Sequence, residues 1–339
     1  MIDTSAITLV GHNLIDQSTQ PIPRWRILRD VLRLSMDDPL TMEAKEAALQ
    51  SRWVTELRET QLPDGSWGRF HSRDSPLKQR FPTTELAIRR ALALGMDAND
   101  PHLKRSLAYI RFIIDDQATW TDPPEKHEGW SVNTHFITAA TLLLLNPNDV
   151  RALPVVQTWR EIVSETFASG SYSPQAEREA HQRLNGINTR GKYLKLAGLY
   201  PLLLLSSEFV HLSLKAEEAL LDWIWTKPDG IYYVYGGCLS DPPALKSPHF
   251  IGWLEAINLF SRFEYGRTLC RPLIDWLWNQ RDSEGLWDFG PTSKDGFDLP
   301  LSENWQQPFN RKIDCSVLAL LSISKLLAAN SSAGSQRAD

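Results

Sequence analysis

The sequence predicts an all-α protein in which about five to six helical hairpins stack into a ring or a solenoid. Three observations lead to this prediction: a short motif recurs along the chain, the segments between its copies have helical periodicity, and strand-like segments are scarce. The one good strand candidate is "GIYYVYGG" at residues 230–237. A single hairpin cannot bury its apolar face alone, so neighbouring hairpins are expected to pack against each other.

The recurring motif ends in Gly, any residue and an aromatic residue. Its two fullest copies are "QLPDGSW" at residues 61–67 and "QRDSEGLW" at residues 280–287. Shorter copies end at Tyr172 and Tyr232 and a degenerate one at Trp120, so the aromatic residues follow each other at intervals of 53, 52, 60 and 55 residues. Spacing of this regularity is typical of stacked supersecondary units.

Two kinds of helix are predicted to alternate between the copies. The pentapeptides "LDWIW" at 221–225 and "IDWLW" at 274–278 lie 53 residues apart and mark the same place in two units. Some segments are amphipathic, such as "DPHLKRSLAYIRFI", whereas others are apolar nearly all round, as is typical of buried helices. In the first buried helix Thr84 is the expected N-cap and Gly95 the expected end. The predicted buried helices are "TTELAIRRALALGM", "NTHFITAATLLLLN", "KYLKLAGLYPLLLL", "PHFIGWLEAINLF" and "KIDCSVLALLSISKLL".

One repeat domain is predicted over residues 42–327, because no low-complexity linker interrupts the repeats. Residues 1–41 are expected to form an N-terminal segment with a capping helix in "IPRWRILRDVLRL", and the small, polar residues 328–339 a flexible tail. The 36 basic and 41 acidic residues give a formal net charge of −5, without the basic excess typical of nucleic-acid binding. No nucleic-acid partner is therefore predicted.

Cysteine content and hydropathy favour a soluble, reduced protein. Cys238, Cys270 and Cys315 are too few and too widely spaced for a disulfide framework or a Cys-x-x-Cys metal site. The N-terminus has no basic region before its short apolar run, so a secretory signal is not expected. The longest apolar runs fall well short of the ~20 residues that span a bilayer. A cytoplasmic protein is predicted, with peripheral contact with a membrane surface left open.

The Gln, Gly and Trp residues of the two fullest copies resemble the QW motif of the terpenoid cyclases. The residues that carry the resemblance are Gln61, Gly65 and Trp67 in the first copy and Gln280, Gly285 and Trp287 in the last. The resemblance extends over about residues 42–327. It implies the αα-toroid, or (α/α) barrel, that these enzymes share with the β-subunits of protein prenyltransferases. In that superfamily the Gln and Trp residues join the outer helices, and the resemblance implies an isoprenoid or similar apolar substrate in a central cavity.

The activity motifs of that superfamily are missing here. No DxDD motif occurs to supply a protonated carboxylic acid. The Asp-Asp pair at 115–116 begins a DDxxD-like magnesium motif that the next residues do not complete. Asp314 and Cys315 are adjacent rather than separated as in the prenyltransferase zinc site, for which His135 or His249 would be a third ligand. Neither a metal nor a cofactor is predicted, and both histidines are more simply interpreted as hydrogen-bonded groups of the core or rim.

Two acids are candidate catalytic residues, Glu85 and Asp314, because each lies near the start of a predicted buried helix. For Asp314 the alternative is an N-cap, whose side chain accepts backbone N–H bonds. Polar and aromatic residues at the same end of successive buried helices are expected to surround the cavity and to bind substrate. The predicted substrate-binding residues are Trp130, His135, Lys192, Tyr193, His249 and Trp253, and Thr84, Glu128, Asp295, Asp298 and Lys312 are expected close to them.

Three functions are compatible with these features. The leading hypothesis is a terpenoid-cyclase-like isomerase or lyase that binds or cyclises an isoprenoid, with Asp314 or Glu85 as the acid. The missing motifs favour a non-catalytic binding or scaffold protein, with a protein partner left open. A carbohydrate-active α/α-barrel would use tryptophan residues to stack on sugars and paired carboxylates for acid and base catalysis. The cavity distinguishes them, since it should be dry and aromatic for isoprenoids, carboxylate-lined for sugars and filled for a scaffold.

Overall fold

The computed structural model describes residues 2–72, 81, 83–126, 129–187, 193–209 and 211–328. Within these ranges the chain forms fourteen α-helices and no β-strand, which confirms the predicted all-α class. The helices are α1 (Thr4–Gln17), α2 (Pro21–Arg26), α3 (Pro39–Leu49), α4 (Arg52–Thr60), α5 (Thr84–Ala93), α6 (Pro101–Ile114), α7 (Trp130–Leu145), α8 (Leu153–Thr166), α9 (Pro174–Asn185), α10 (Leu199–Leu205), α11 (Leu214–Trp225), α12 (Phe250–Phe260), α13 (Glu264–Trp278) and α14 (Pro308–Leu327).

Five helices carry the sequences predicted to be buried, namely α5, α7, α10, α12 and α14. Their side chains form much of the core, and every residue of α10 is buried. Helix α7 packs against α6 and α10, and α14 packs against α1, α12 and α13. All five contribute side chains to one central cavity. None of the helices in the described ranges combines the length and the apolar character needed to cross a membrane.

The N-cap of the first buried helix lies one residue earlier than predicted. The N-cap of α5 is Thr83, whose hydroxyl accepts a hydrogen bond from the Leu86 N–H at 3.2 Å. Thr84, the predicted N-cap, is the first helical residue instead. The predicted end is confirmed, since α5 ends at Ala93 and Gly95 follows with a φ of +86°, which a side chain would disfavour.

Two segments differ more strongly from their predicted structure. The segment before α10 is not helical, because the Leu196 N–H donates to Glu177 at 2.9 Å and the Ala197 carbonyl accepts from the Tyr232 N–H at 2.9 Å. These external partners replace the hydrogen bonds of the helix. The strand candidate at 230–237 forms only isolated bridges, one of which pairs Ile231 with Tyr235 in a tight turn.

The first and last copies of the motif make the same pair of hydrogen bonds. The indole N–H of Trp67 donates to the Leu57 carbonyl at 2.9 Å, and that of Trp287 donates to the Leu277 carbonyl at 2.7 Å. Each tryptophan thereby satisfies a carbonyl in the last turn of the preceding helix. Their backbone N–H groups donate to hydroxyls on buried helices, Thr84 at 2.9 Å and Ser316 at 3.1 Å. Each motif therefore joins an amphipathic helix to a buried one.

The N-terminal segment closes one end of the bundle. Helix α2 lies in the predicted capping segment and continues as a π-helical turn over Ile27–Val31. The Trp25 indole N–H donates to the Gly95 carbonyl at 3.0 Å, and the Arg26 guanidinium donates to the Ala93 carbonyl. These bonds cover the carboxyl end of α5 and place Arg26 beside the central cavity.

Candidate active site

A cavity of about 270 Å³, which we call the chamber, lies between α5, α7, α10, α12 and α14. Its walls are mainly apolar and include Leu92, Leu144, Leu203, Leu254, Leu318 and Leu321. Charged residues lie toward its two ends. Arg89 and Glu255 lie near the middle of α5 and α12, whereas Arg262 follows α12 and Lys325 lies in the last turn of α14. The volume is close to the lower limit of roughly 300 Å³ for small-molecule sites.

Two further cavities adjoin the chamber. A cavity of about 430 Å³, which we call the Glu85 pocket, shares Arg89 and Leu199 with the chamber. A side cavity of about 230 Å³ shares Glu255 with the chamber and Tyr233 with the Glu85 pocket. The Arg89–Glu255 ion pair therefore lies where the three spaces meet.

Of the two candidate acids predicted from the sequence, Glu85 is the one that lines one of these cavities. Its carboxylate is buried in the first turn of α5 and accepts a hydrogen bond from the Tyr200 hydroxyl at 2.9 Å. The Nδ1 atom of His71 lies 2.8 Å from the same carboxylate and 3.0 Å from the Tyr200 hydroxyl. Tyr233 packs edge-on against His71, with ring centroids 5.5 Å apart. Glu85, His71, Tyr200 and Tyr233 all line the Glu85 pocket.

A buried carboxylate holds the histidine segment in place. Asp122 is 5% exposed, and its oxygens accept the backbone N–H groups of Phe70, at 2.6 Å, and of His71, at 3.1 Å. The Glu85 N–H in turn donates to the Phe70 carbonyl at 3.1 Å. This bonding positions His71 before any ligand binds, and preorganisation of this kind lowers the cost of placing a catalytic group.

Several ionisable groups here have shifted pKa values. Burial and the Glu85 charge raise the pKa of Tyr200 well above its usual range, so its phenol remains protonated and donates to Glu85. Burial raises the pKa of Glu255 to about 7, against the opposing effect of Arg89. Burial and the charge of Asp298 raise the pKa of Asp295 to about 7. Carboxyl groups that titrate near neutral pH are suited to donating and accepting protons.

Asp314, the other candidate acid, has a different environment. Helix α14 begins at Pro308, so Asp314 lies in its second turn and is not the N-cap. Its carboxylate is fully buried and accepts the N–H groups of Leu301 and Ser302, both at 2.7 Å, and the Ser302 hydroxyl at 2.5 Å. It lines neither the chamber nor its two adjoining spaces. The contacts of Asp314 are those of a loop anchor.

The anchored loop brings further carboxylates to the chamber. Arg90 is buried in α5 and donates to the carbonyls of Phe297, at 2.7 Å, and Pro300. Together with Asp314 it fixes the loop on both sides of Asp298, which lines the chamber. Asp295 lines the side cavity. Of the two loop acids expected near the cavity, Asp298 thus lines the chamber itself and Asp295 the adjoining side cavity.

The structure does not bring the predicted substrate-binding residues together. Trp253 is fully buried and its indole N–H donates to the Leu239 carbonyl at 3.0 Å, which makes it a packing residue. His249 is exposed just before α12, and His135 is exposed beside a separate surface cavity. Trp130 packs edge-on against Trp120.

Tyr193 also lies away from the chamber, with its ring centroid 4.2 Å from that of His181. Lys312 forms ion pairs with Asp282 and Glu284 near the last motif copy. Lys192 and Glu128 lie outside the described residues. Of the residues named from the sequence, Glu85, Asp295 and Asp298 are those that reach the connected spaces.

Sequence reasoning missed His71, Arg89, Tyr200 and Glu255. A signal was present for Glu255, which is the single charge in the apolar sequence of α12, and for Arg89, which lies in a helix predicted to be buried, because charges are costly to bury unless they are paired. For His71 and Tyr200 the signal is absent, because they are 129 residues apart and neither belongs to a recurring motif.

Among the described residues, no group of three or more His, Cys, Asp and Glu side chains is placed to hold a metal ion. Comparison of the chain with models of protein families, with curated proteins and with solved structures gave no match.

Proposed function

We propose that the chain is an αα-toroid of the terpenoid-cyclase type that binds an isoprenoid or similar apolar molecule in the chamber and protonates it from Glu85. The fold part of the proposal is supported by the five apolar helices around one cavity and by the matching hydrogen bonds of Trp67 and Trp287. The function rests on one observation: the buried Glu85 carboxyl lies between His71 and Tyr200 in a pocket that adjoins an apolar chamber.

The proposed chemistry begins with a proton transfer from the carboxylic-acid form of Glu85 to a carbon–carbon double bond. The two groups at Glu85 assist this step, because the Tyr200 hydroxyl donates to the carboxylate left behind and the Nδ1 atom of His71 lies 2.8 Å from it. The proton adds to one carbon, and the other carbon becomes a cation. The ring faces of Tyr200 and Tyr233 stabilise that cation.

A second proton transfer completes the reaction. Loss of a proton from the cation back to Glu85 gives a neutral isomer of the substrate and restores the acid. If Glu255 accepts the proton instead, Glu255 releases it to solvent and Glu85 regains one, so the reaction is redox-neutral in both cases. Glu255 suits the role of base because a pKa raised to about 7 makes its carboxylate more basic, while part of it is still ionised at neutral pH.

The test is incubation of the purified protein with a panel of linear isoprenoids, free and diphosphorylated, with and without magnesium. Extracts are examined by mass spectrometry for isomers and for loss of diphosphate. We expect a product with the unaltered protein and with Asp314→Asn, and at least a roughly 100-fold loss of rate with Glu85→Gln. Turnover retained in Glu85→Gln would reject Glu85 as the acid. An absence of both turnover and ligand-induced thermal stabilisation would reject the isoprenoid and leave the scaffold function.

A second candidate function is favoured by the carboxylates around the Arg89–Glu255 pair. Glu85, Glu255, Asp295 and Asp298 line connected spaces, and paired carboxyl groups are the catalytic groups of most glycoside hydrolases. Oligosaccharides added to the same panel, with release of reducing ends as the readout, distinguish the two functions. Sugar release that is lost in Glu255→Gln would favour the carbohydrate-active enzyme.

A further inference from the structure

Three basic side chains line the end of the chamber away from Glu85. They are Arg26, from the N-terminal segment, Arg262, which follows α12, and Lys325, from the last turn of α14. The Arg26 guanidinium donates to the carbonyl of Ala93 at the carboxyl end of α5, which fixes the end of the chamber at which the cluster lies. We call these three residues the basic cluster.

The three basic side chains differ in the hydrogen bonds and ion pairs that they form within the protein. Arg26 is paired with Asp30 and caps α5, so its position has a structural explanation. Arg262 donates to the Ser206 hydroxyl at 3.3 Å, a weak contact with a neutral group. No described residue forms a hydrogen bond or an ion pair with the Lys325 ammonium. Arg262 and Lys325 therefore retain donors for a ligand.

The acids around the cluster do not neutralise it. Asp30 is shared by Arg26 and Arg29, and Asp298 acts on Lys325 through its field without forming an ion pair. Desolvation by the surrounding protein and the charge of Arg26 lower the pKa of Lys325 to about 8, although its side chain is still exposed to solvent. Like charges gathered in a cavity repel each other unless an anion joins them.

We propose that Arg262 and Lys325, supported by Arg26, bind an oxyanion at the end of the ligand opposite its reacting group. The chemical class is a carboxylate or a phosphate on an apolar chain. The chain would lie along Leu92, Leu254 and Leu321 toward the Arg89–Glu255 pair. The two charged ends of the chamber, at Glu255 and at Arg262, are roughly 10 Å apart. This distance follows from the 1.5 Å rise per residue of a helix over the seven steps from Glu255 to Arg262.

The oxyanion site rests on the proposed function only in assuming that the ligand has an apolar chain. It is therefore tested by binding rather than by turnover. Calorimetry with decanoate, decanol, decyl phosphate and inorganic phosphate measures the contribution of the oxyanion. We expect decanoate or decyl phosphate to bind at least about 10-fold more tightly than decanol, because a hydrogen bond to a charged group contributes ~1.5–3 kcal/mol. The tighter of the two identifies the oxyanion, and competition by inorganic phosphate indicates the phosphate class.

Variants separate this cluster from general positive charge. Lys325→Met is expected to weaken the anionic ligand about 10-fold or more and to leave decanol unchanged, while Lys325→Arg restores most of the affinity. Lys215→Met, on the exposed surface of α11, is the matched control and should change neither ligand. Equal binding of decanol and both anions, no binding of any probe, or equal effects of Lys325→Met and Lys215→Met would overturn the proposal. Anion binding without isoprenoid turnover would overturn only the proton transfer from Glu85.

Discussion

The first and last copies of the motif have the same hydrogen bonds but present their acids differently. Trp67 and Trp287 each bond to a carbonyl ten residues earlier and to a hydroxyl on a buried helix. Relative to that hydroxyl, Glu85 lies one residue later in α5 and Asp314 two residues earlier in α14. When the two helices are aligned on these hydroxyls, the positions of the two acids differ by three residues. Positions three residues apart lie on the same face of a helix, about one turn apart along its axis.

What covers each acid accounts for the difference. In the last unit the chain between motif and helix is long enough for Leu301 and Ser302 to reach Asp314 and occupy its oxygens with three hydrogen bonds. In the first unit the carboxylate of Glu85 meets two side chains, His71 and Tyr200, and an open pocket. Backbone partners make an acid structural, whereas titratable partners beside a cavity leave it available for chemistry.

The largest effect that this comparison predicts is the loss of stability on removing Asp314. We expect Asp314→Ala to lower the free energy of unfolding by about 3 kcal/mol or more, because two buried N–H groups and one hydroxyl lose their acceptor. Urea unfolding followed by circular dichroism measures this. Asp314→Asn is the matched control and should lose less, since its amide oxygen still accepts. A loss below about 1 kcal/mol for Asp314→Ala would contradict the anchoring role.

How far the sequence could predict this molecule depends on the range of the interactions. The buried helices were predicted because helical periodicity is local, and the equivalence of Trp67 and Trp287 because both lie in the same short motif. The helix predicted to end near Leu205 was wrong in its N-terminal half, which is not helical in the structure. The backbone of that segment bonds to Glu177 and Tyr232, which are distant in the sequence.

The candidate site was less predictable than the helices. Glu85 was identified from its place at a helix start, but its partner Tyr200 lies 115 residues further along the chain. Asp314 satisfied the same sequence criterion and proved to bond to backbone groups of a loop, which composition and spacing do not reveal. A site formed by long-range contacts requires the arrangement of the helices before its residues can be chosen.

A second effect concerns pH. Burial raises the pKa of Asp314 to about 7, despite the hydrogen bonds that act in the opposite direction, whereas an unfolded chain has an Asp pKa of about 3.9. Between these values the folded state holds the proton more tightly, so the contribution of Asp314 to stability is present below pH 4 and declines as the pH rises to 7.

Unfolding measured from pH 4 to 8 tests this sign. The stability of the unaltered protein relative to Asp314→Asn should fall with increasing pH, by at most roughly 1.4 kcal/mol for each pH unit. Other acids that titrate in this range affect both proteins and cancel in the difference. A relative stability that increases with pH would show instead that the loop donors favour the carboxylate.

A smaller loss of stability, equal in the two motif copies, is expected on replacing the tryptophan that both copies share. Trp67→Phe and Trp287→Phe each remove one indole N–H bond to a helix carbonyl and keep an aromatic ring in place. Each should lower the free energy of unfolding by about 1–2 kcal/mol. Chemical denaturation of both variants measures this, with Trp278→Phe, a partly buried tryptophan in contact with Trp287, as the control. Costs that differ by more than about 2 kcal/mol would show that the shared geometry does not reflect a shared contribution.

The smallest effect on stability is expected at Glu85. Glutamine has the same shape, and its amide can accept from the Tyr200 hydroxyl and donate to Nδ1 of His71, so Glu85→Gln should change the free energy of unfolding by less than about 1 kcal/mol. The variant lacks a proton that it can transfer, so the reaction should be lost while the fold remains. Asp314→Ala should do the reverse, with activity falling in proportion to the folded fraction. Thermal unfolding and turnover measured on the same samples of both variants decide between these roles, because a large stability loss in Glu85→Gln would make Glu85 a second anchor like Asp314.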